Sequence, residues 1–279
     1  MSDLNEDYRR RFGLEPGQDL EAAGPAPEGV IQRLRHSSIR KFTGAALPEP
    51  MVTALLAAAQ SAPSKSNLQQ YSILRLEDPA KRARLAGMLG NSGWALDAPL
   101  FLVFLGDLRR NRRVGELRGY PNRNDNADSF MNAAVDAALA LQSFIAAAEA
   151  WGLGCCPISQ VRGDLEGLGA LLELPEGVFP IAGLAVGFPD EEPATSQRLP
   201  PSLVQHLDRY DDSRLEEELA AYDDRVFAAA PIPPEKQRHL DLYGPAERGT
   251  WSEQTARQLS QPERQGFRAW LARQGISLG

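Results

Sequence analysis

Histidine and cysteine are scarce in this chain: three and two among 279 residues. His36, His206 and His239 lie far apart, and no HExxH, CxxC or other ligand spacing occurs. That argues against a structural zinc site. Cys155 and Cys156 are neighbours. They cannot staple distant loops, and a bridge between adjacent residues has poor geometry, which suits a reducing cytoplasm. Glycine-rich phosphate loops are missing too. No GxGxxG follows an apolar strand, and there is neither a Walker A loop nor a GxSxG elbow. No apolar run approaches the roughly 18 residues needed to span a bilayer. The opening MSDLNEDYRRRFG has no apolar core of a secretory signal, so the expectation is a cytoplasmic protein with no membrane partner. A net charge of −7 and a pI near 5.2 leave little broad positive surface for nucleic acid.

The chain is 43% hydrophobic and 24% charged, a globular composition with ample length for a sizeable core. Against the acidic background stands RLRHSSIRKF, residues 33–42, with five basic or imidazole side chains and two serines. Such a cluster is either a solvated charge run or an anion site, phosphate first among the anions.

Residues 1–30 read as an appendage: a short helix around Asp3–Phe12, then the Gly/Pro/Ala-rich EPGQDLEAAGPAPEG. A helix begins near Pro27, and another covers 48–61 with Pro48 and Pro50 in its first turn. SAPSKSNLQQ is a polar loop. Strands are predicted at 71–78, 99–107, 154–161 and 178–189, the second and fourth fully buried. Helices are predicted at 79–89, 163–173 and 213–229, with two short ones in the tail. Residues 108–126, rich in Arg and Asn, read as a mobile surface excursion. The longest helix is 127–151, stopped by Gly152 and Gly154. Its wide apolar belt comprises Phe130, Ala134, Val135, Ala138, Leu141, Phe144, Ile145 and Ala148, and serves core packing or a subunit interface. The fold class is α+β. Scattered polar loops at 35–40, 63–69, 90–93, 157–160 and 196–198 suit a cofactor held by many short segments, which would carry the chemistry itself.

RHSSIRKF, LLAAAQSAPSKSNLQQYS, VDAALALQSFIAAAEAWGLGCCPISQVRG, LAVGFP and RLP occur in this order. Together they resemble the nitroreductase superfamily of FMN-dependent enzymes. The tail TWSEQ…PERQGFRAWLARQG is similar to that of its oxygen-insensitive, NADPH-linked nitroreductases and flavin reductases. The resemblance implies a mixed or antiparallel sheet wrapped by helices, and a homodimer with the long helix at its interface and FMN bound there. It divides the chain into an extension (1–29), an FMN-binding core (30–210) and a helical C-terminal extension wrapping the dimer (211–279).

By the same resemblance His36, Ser37 and Ser38 fall at the FMN phosphate and ribityl chain, and Arg40 beside N1 and O2 of the flavin. Ser64, Lys65, Ser66, Asn67 and Gln69 form a loop approaching from the other subunit. Ser92 falls near the ribityl chain. Pro157, Ile158 and Ser159 line the ring, with an amide near N5, and Arg198 is a second phosphate cation. Arg40 and Ser159 take the catalytic positions. Arg248 and Arg264 fall where this subgroup meets the NADPH phosphate. A fixed guanidinium suits the negative charge of reduced flavin, and forked donors suit O2. Phosphate favours short charge-assisted bonds from Arg, His and hydroxyls.

Four positions depart from the pattern: Ser37 replaces an Arg, Asn91-Ser92-Gly93 lacks a Gln, Ser159-Gln160 replaces smaller residues, and Ser196 replaces a phosphate lysine. Lys65 is expected to offset part of the lost charge. The implied activity is a ping-pong cycle from NADPH or NADH, through FMN, to nitroaromatic, quinone or flavin acceptors. Two alternatives stand beside it: a dedicated flavin enzyme for one metabolite, and a non-catalytic flavin-binding protein.

Overall fold

A computed structural model describes residues 3–278. Helices α1 (Leu4–Phe12), α2 (Glu28–Arg35) and α3 (Glu49–Gln60) precede strand β1 (Tyr71–Arg75). Helix α4 (Pro79–Met88), strand β2 (Leu100–Asp107), α5 (Arg109–Arg118) and the long α6 (Ala127–Ala150) follow. Then come β3 (Gly154–Ile158), α7 (Leu165–Leu172) and β4 (Val178–Gly187). The chain closes with α8 (Leu215–Ala229), α9 (Leu240–Tyr243), α10 (Trp251–Leu259) and α11 (Phe267–Arg273). Local chemistry sets many boundaries. Asp3, Asp78, Asn126 and Asp164 each accept a backbone N–H in the first turn of the helix they precede, and Pro79 opens α4. Gly152 turns the chain after α6 with φ +74°.

Two compact units result: residues 37–193 with 264–279, and residues 1–36 with 194–263. The first contains an antiparallel sheet of order β1-β2-β4-β3. Its alternation builds two cores. Leu100, Leu102 and Phe104 meet Leu55 of α3 and Phe144 of α6 on one face. Phe101, Val103 and Leu105 meet Leu85 of α4 and Leu168 of α7 on the other. Both faces of β2 and β4 are covered, which is why these strands read as continuous apolar runs. Gly106 is required where β2 crosses the Phe179 ring, because a Cβ there would stand 2.3 Å from it. Residues from α11 return to this unit, where Trp270 and Leu271 pack with Phe179, Leu108 and Leu165. In the second unit α1 packs on α2, and α8 on α10.

Four sequence expectations are corrected. Residues 109–118 are helix α5 rather than an excursion. The helix buries none of its residues, so no apolar periodicity announced it. Asp107 accepts the Arg110 N–H at its start, and Gly119, at φ +77°, ends it. Next, the first strand stops at Arg75 rather than reaching 78. Third, the buried side of α6 keeps Phe144, Ile145 and Ala148 of the expected belt but departs from it in the first half of the helix. Ala133, Asp136, Ala137 and Ala140 lie inside, whereas Val135 and Ala138 are exposed. Asp136 turns inward there and accepts two backbone N–H groups. By length and composition α6 is also apolar enough to cross a bilayer, contrary to the sequence expectation. It packs instead as a core helix across the sheet.

Candidate functional site

In the sheet unit, residues 37–43 run beside β3. The Ile39 N–H donates to the Cys155 carbonyl at 3.0 Å, and Phe42 bridges Pro189. Ile39 is buried against Gly154, where a Cβ would lie 2.6 Å from its side chain. Extended backbone alternates, so an inward Ile39 leaves Ser38 and Arg40 on the outer side. Glu191 fixes the backbone here by accepting the N–H groups of Arg40 (2.5 Å) and Lys41 (3.1 Å). The Arg40 N–H, aided by that of Lys41 and by both positive charges, draws the Glu191 carboxyl below its ordinary range. Arg40 also donates to the Ser38 carbonyl at 3.4 Å. Ser37 Oγ is buried and finds no hydrogen-bond partner among the described residues.

The end of β3 lies along the same edge. Cys156 is buried, and burial pushes its thiol up, opposed by the Arg40 charge and the Ser38 hydroxyl. Pro157 and Ser159 are exposed and Ile158 is buried. Arg264 donates to Ser159 Oγ at 3.4 Å. The turn Gly90–Asp97, which carries Ser92, packs alongside β3. Of the expected residues, then, Ser38, Arg40, Pro157, Ile158, Ser159 and Ser92 gather on the β3 side of the sheet, together with Arg264.

The expected loop lies elsewhere. Ser64 to Gln69 precede β1, at the opposite edge of the sheet. Three strand spacings separate the edges, about 14 Å. The loop is exposed from Lys65 to Gln69, and Ser66, Asn67 and Gln69 all have φ between +52° and +56°. Non-glycine residues rarely adopt that conformation, which costs on the order of 1 kcal/mol or more each and persists only where the surroundings enforce it. Asp136, 1% exposed, supplies the enforcement: it accepts Lys65 N–H at 2.9 Å and Gln70 N–H at 3.0 Å. From α5, Arg110 donates to the carbonyls of Gln69 (2.9 Å) and Tyr71 (3.0 Å), and Asn111 to that of Leu68 (3.1 Å). Sequence reasoning missed Asp136, Arg110 and Asn111, all beyond the loop's own stretch. Beside the loop opens a groove of about 580 Å³ lined by Leu56, Gln60, Leu68, Gln69, Tyr71 and Arg110 among others.

The second unit carries His36 and Arg198. His36 is the C-cap of α2. Arg198 donates from Nη1 to Ser196 Oγ at 2.8 Å, and its N–H donates to the Arg11 carbonyl at 2.8 Å. Tyr222 is buried and donates to the Gln197 carbonyl at 3.2 Å. Burial pushes the Tyr222 phenol up, against the pull of the Arg198 charge. Arg248 pairs with Asp224 at 2.6 Å and stacks over Phe227.

The Nitroreductase family model matches residues 34–188, and the model of the family's C-terminal domain matches 196–279. A Bacillus subtilis FMN reductase [NAD(P)H] is 36% identical over 201 residues, spanning 71% of this chain and 81% of its own. An oxygen-insensitive NADPH nitroreductase of Salmonella typhimurium is 33% identical, over 86% of this chain and 94% of its own. Among solved structures, the NADPH:FMN oxidoreductase of Vibrio harveyi in complex with NAD+ superposes with TM-score 0.78 at 28% identity. That superposition covers 89% of this chain and 98% of the other.

Proposed function

The chain belongs to the nitroreductase family, and on that ground we propose that it is an FMN-dependent NAD(P)H oxidoreductase. The observation that carries the flavin site is the edge beside β3. There an exposed guanidinium, Arg40, lies on the outer side of a strand-like segment whose backbone Glu191 fixes. Ser37 supplies a buried hydroxyl unmatched among the described residues, which suits an oxygen-rich ribityl phosphate. The donor set of Arg, His and hydroxyls has the chemistry of a phosphate and a sugar chain.

When bound, FMN would supply two-electron hydride chemistry between NADPH or NADH and a nitroaromatic, quinone or flavin acceptor, in a ping-pong cycle. In the unit of residues 1–36 and 194–263, His36 and Arg198 would offer cations to a phosphate; in the sheet unit, Ser38 would offer a hydroxyl. Arg40 would offer fixed positive charge to the pyrimidine edge of the flavin, stabilising negative charge as it builds there. Ser159 and Pro157 would border the ring, with Ser92 near the ribityl chain. Arg264, in contact with Ser159, would present its cation at the mouth of that wall, where the nucleotide enters. Arg248, paired with Asp224 in its own unit, would offer a cation to a nucleotide phosphate.

A homodimer is part of the same reading. Ser64, Lys65, Ser66, Asn67 and Gln69 lie at the sheet edge opposite Arg40, so they would serve the flavin of a second copy. In this arrangement residues 30–210 form the flavin core, 211–279 the wrapping extension, and 1–29 an appendage. NAD(P)H dependence suits the cytoplasm.

Purified protein should show a flavin spectrum, as isolated or after reconstitution, that bleaches when NADPH or NADH is added without oxygen. Failure to bind flavin would remove the proposal. Flavin bound but bleached by neither nucleotide would reduce the protein to a flavin binder. Bleaching without turnover of quinones or nitroaromatics would replace the broad acceptor range with one dedicated substrate.

A further inference from the structure

Helix α2 ends at Arg35, and the carbonyls of its last turn have no partner within the helix. Three carbonyls around its end and around residue 196 converge on a single buried side chain contributed from far upstream. Arg11, in α1, is only 4% exposed. Its Nε donates to the Leu34 carbonyl at 2.8 Å, Nη2 to the His36 carbonyl at 2.5 Å, and Nη1 to the Ser196 carbonyl at 2.8 Å. The Arg11 carbonyl in turn accepts the Arg198 N–H at 2.8 Å. One residue thus holds the backbone of His36 and both sides of the Ser196–Arg198 stretch. Its planar fork reaches three acceptors at once, which a lysine ammonium on a flexible stem does not reproduce. A cation at a helix C-terminus is also favoured by the helix dipole.

Neighbouring contacts make the clamp rigid. Asp7, four residues before Arg11 and on the same face of α1, is buried and pairs with Arg35 at 2.8 Å. The Gln197 side chain lies over Gly13, where a Cβ would stand 2.9 Å from its amide. All of these residues lie within the unit formed by residues 1–36 and 194–263. Helix α1 itself lies outside the residues that the family models match, which begin at 34.

We propose that Arg11 is a positioning residue for the phosphate end of the flavin: it sets the backbone from which His36 and Arg198 reach the phosphate. The inference rests on the flavin reading above. It gives α1 a role that the sequence, where residues 1–29 stood as an appendage, did not suggest.

Riboflavin is FMN without the phosphate, so comparing the two isolates this end of the site. Dissociation constants for both are measured by flavin fluorescence quenching on apoprotein of wild type, Arg11→Met and Arg11→Lys. Arg11→Met should weaken FMN about tenfold or more, as expected for the loss of well-placed hydrogen bonds. Riboflavin affinity should stay within about twofold of wild type, since it needs no phosphate contact. Arg11→Lys should fall between. Should Arg11→Met fail to fold, Arg11→Lys carries the same readout. Equal weakening of both flavins would mean a general structural role and overturn the proposal, as would FMN affinity unchanged in both variants. A wild-type protein that binds FMN no better than riboflavin would instead overturn the phosphate assignment of His36 and Arg198.

Discussion

Cys156 shows how one residue's chemistry is decided by partners distant in sequence. No cation stands near it in the chain, yet the pairing of Ile39 with Cys155 brings Arg40 and Ser38 to it. Their pull favours the thiolate, but burial outweighs it and the thiol stays up; Cys155, more deeply buried, is raised further. A thiol must be both deprotonated and reachable to react. Iodoacetamide at about pH 8, close to the ordinary cysteine range, should therefore label neither residue in the native protein and both in urea. Mass spectrometry of the alkylated protein checks this, and a labelled native Cys156 would show the Arg40 charge outweighing burial. Arg40→Met removes the opposing charge, so the pH must be raised further than in the wild type before Cys156 labels.

Loop 64–70 is held by an element other than its own. Its left-handed residues include no glycine, and Asp136 of α6 together with Arg110 and Asn111 of α5 keeps it in place. Asp136→Ala leaves two backbone N–H groups without their carboxylate and should cost about 2–4 kcal/mol in urea unfolding. Asp136→Asn, which keeps one good acceptor, should cost less, and faster amide exchange at Lys65 and Gln70 should accompany both. The same loop marks the limit of what sequence could reveal. Strands β2 and β4 were legible because both their faces are covered, and Pro48, Pro50 and Gly152 marked helix ends through fixed local chemistry. The order of short motifs pointed to Arg40 and Ser159, which the fold brings to the same side of the sheet. A glycine-free SKSNLQQ gave no sign of left-handed backbone, and α5, whose Val114 and Leu117 are both exposed, had no buried apolar face to betray it. Asp136 stood outside the expected belt of α6, and its partners lie more than sixty residues upstream. Arg11 was illegible for the same reason: its acceptors are carbonyls, which every residue possesses.

At the scale of the whole molecule, α6 buries one side in the core and leaves Met131, Val135 and Leu139 exposed at 56%, 49% and 37%. These residues are spaced i, i+4, i+8 and so form one apolar stripe. A stripe of this kind on a helix of the sheet unit fits a second copy of the chain, which would also bring a 64–69 loop toward the Arg40 edge. Analytical ultracentrifugation should find a dimer for the wild type and a monomer for Leu139→Glu, with FMN held less tightly by the latter. A monomeric wild type would overturn this arrangement. The sheet itself has an asymmetric boundary. At one side β3 is flanked by residues 37–43, while β1, at the other, pairs only with β2 among the described strands. A strand with one free row of amides is a template on which other extended chains can grow. Arg75, at the end of β1, lies between Glu49 and Glu77 in two ion pairs of 2.6 Å. Charge placed at a sheet edge opposes such growth, a safeguard carried by three residues apart from those proposed to hold the flavin.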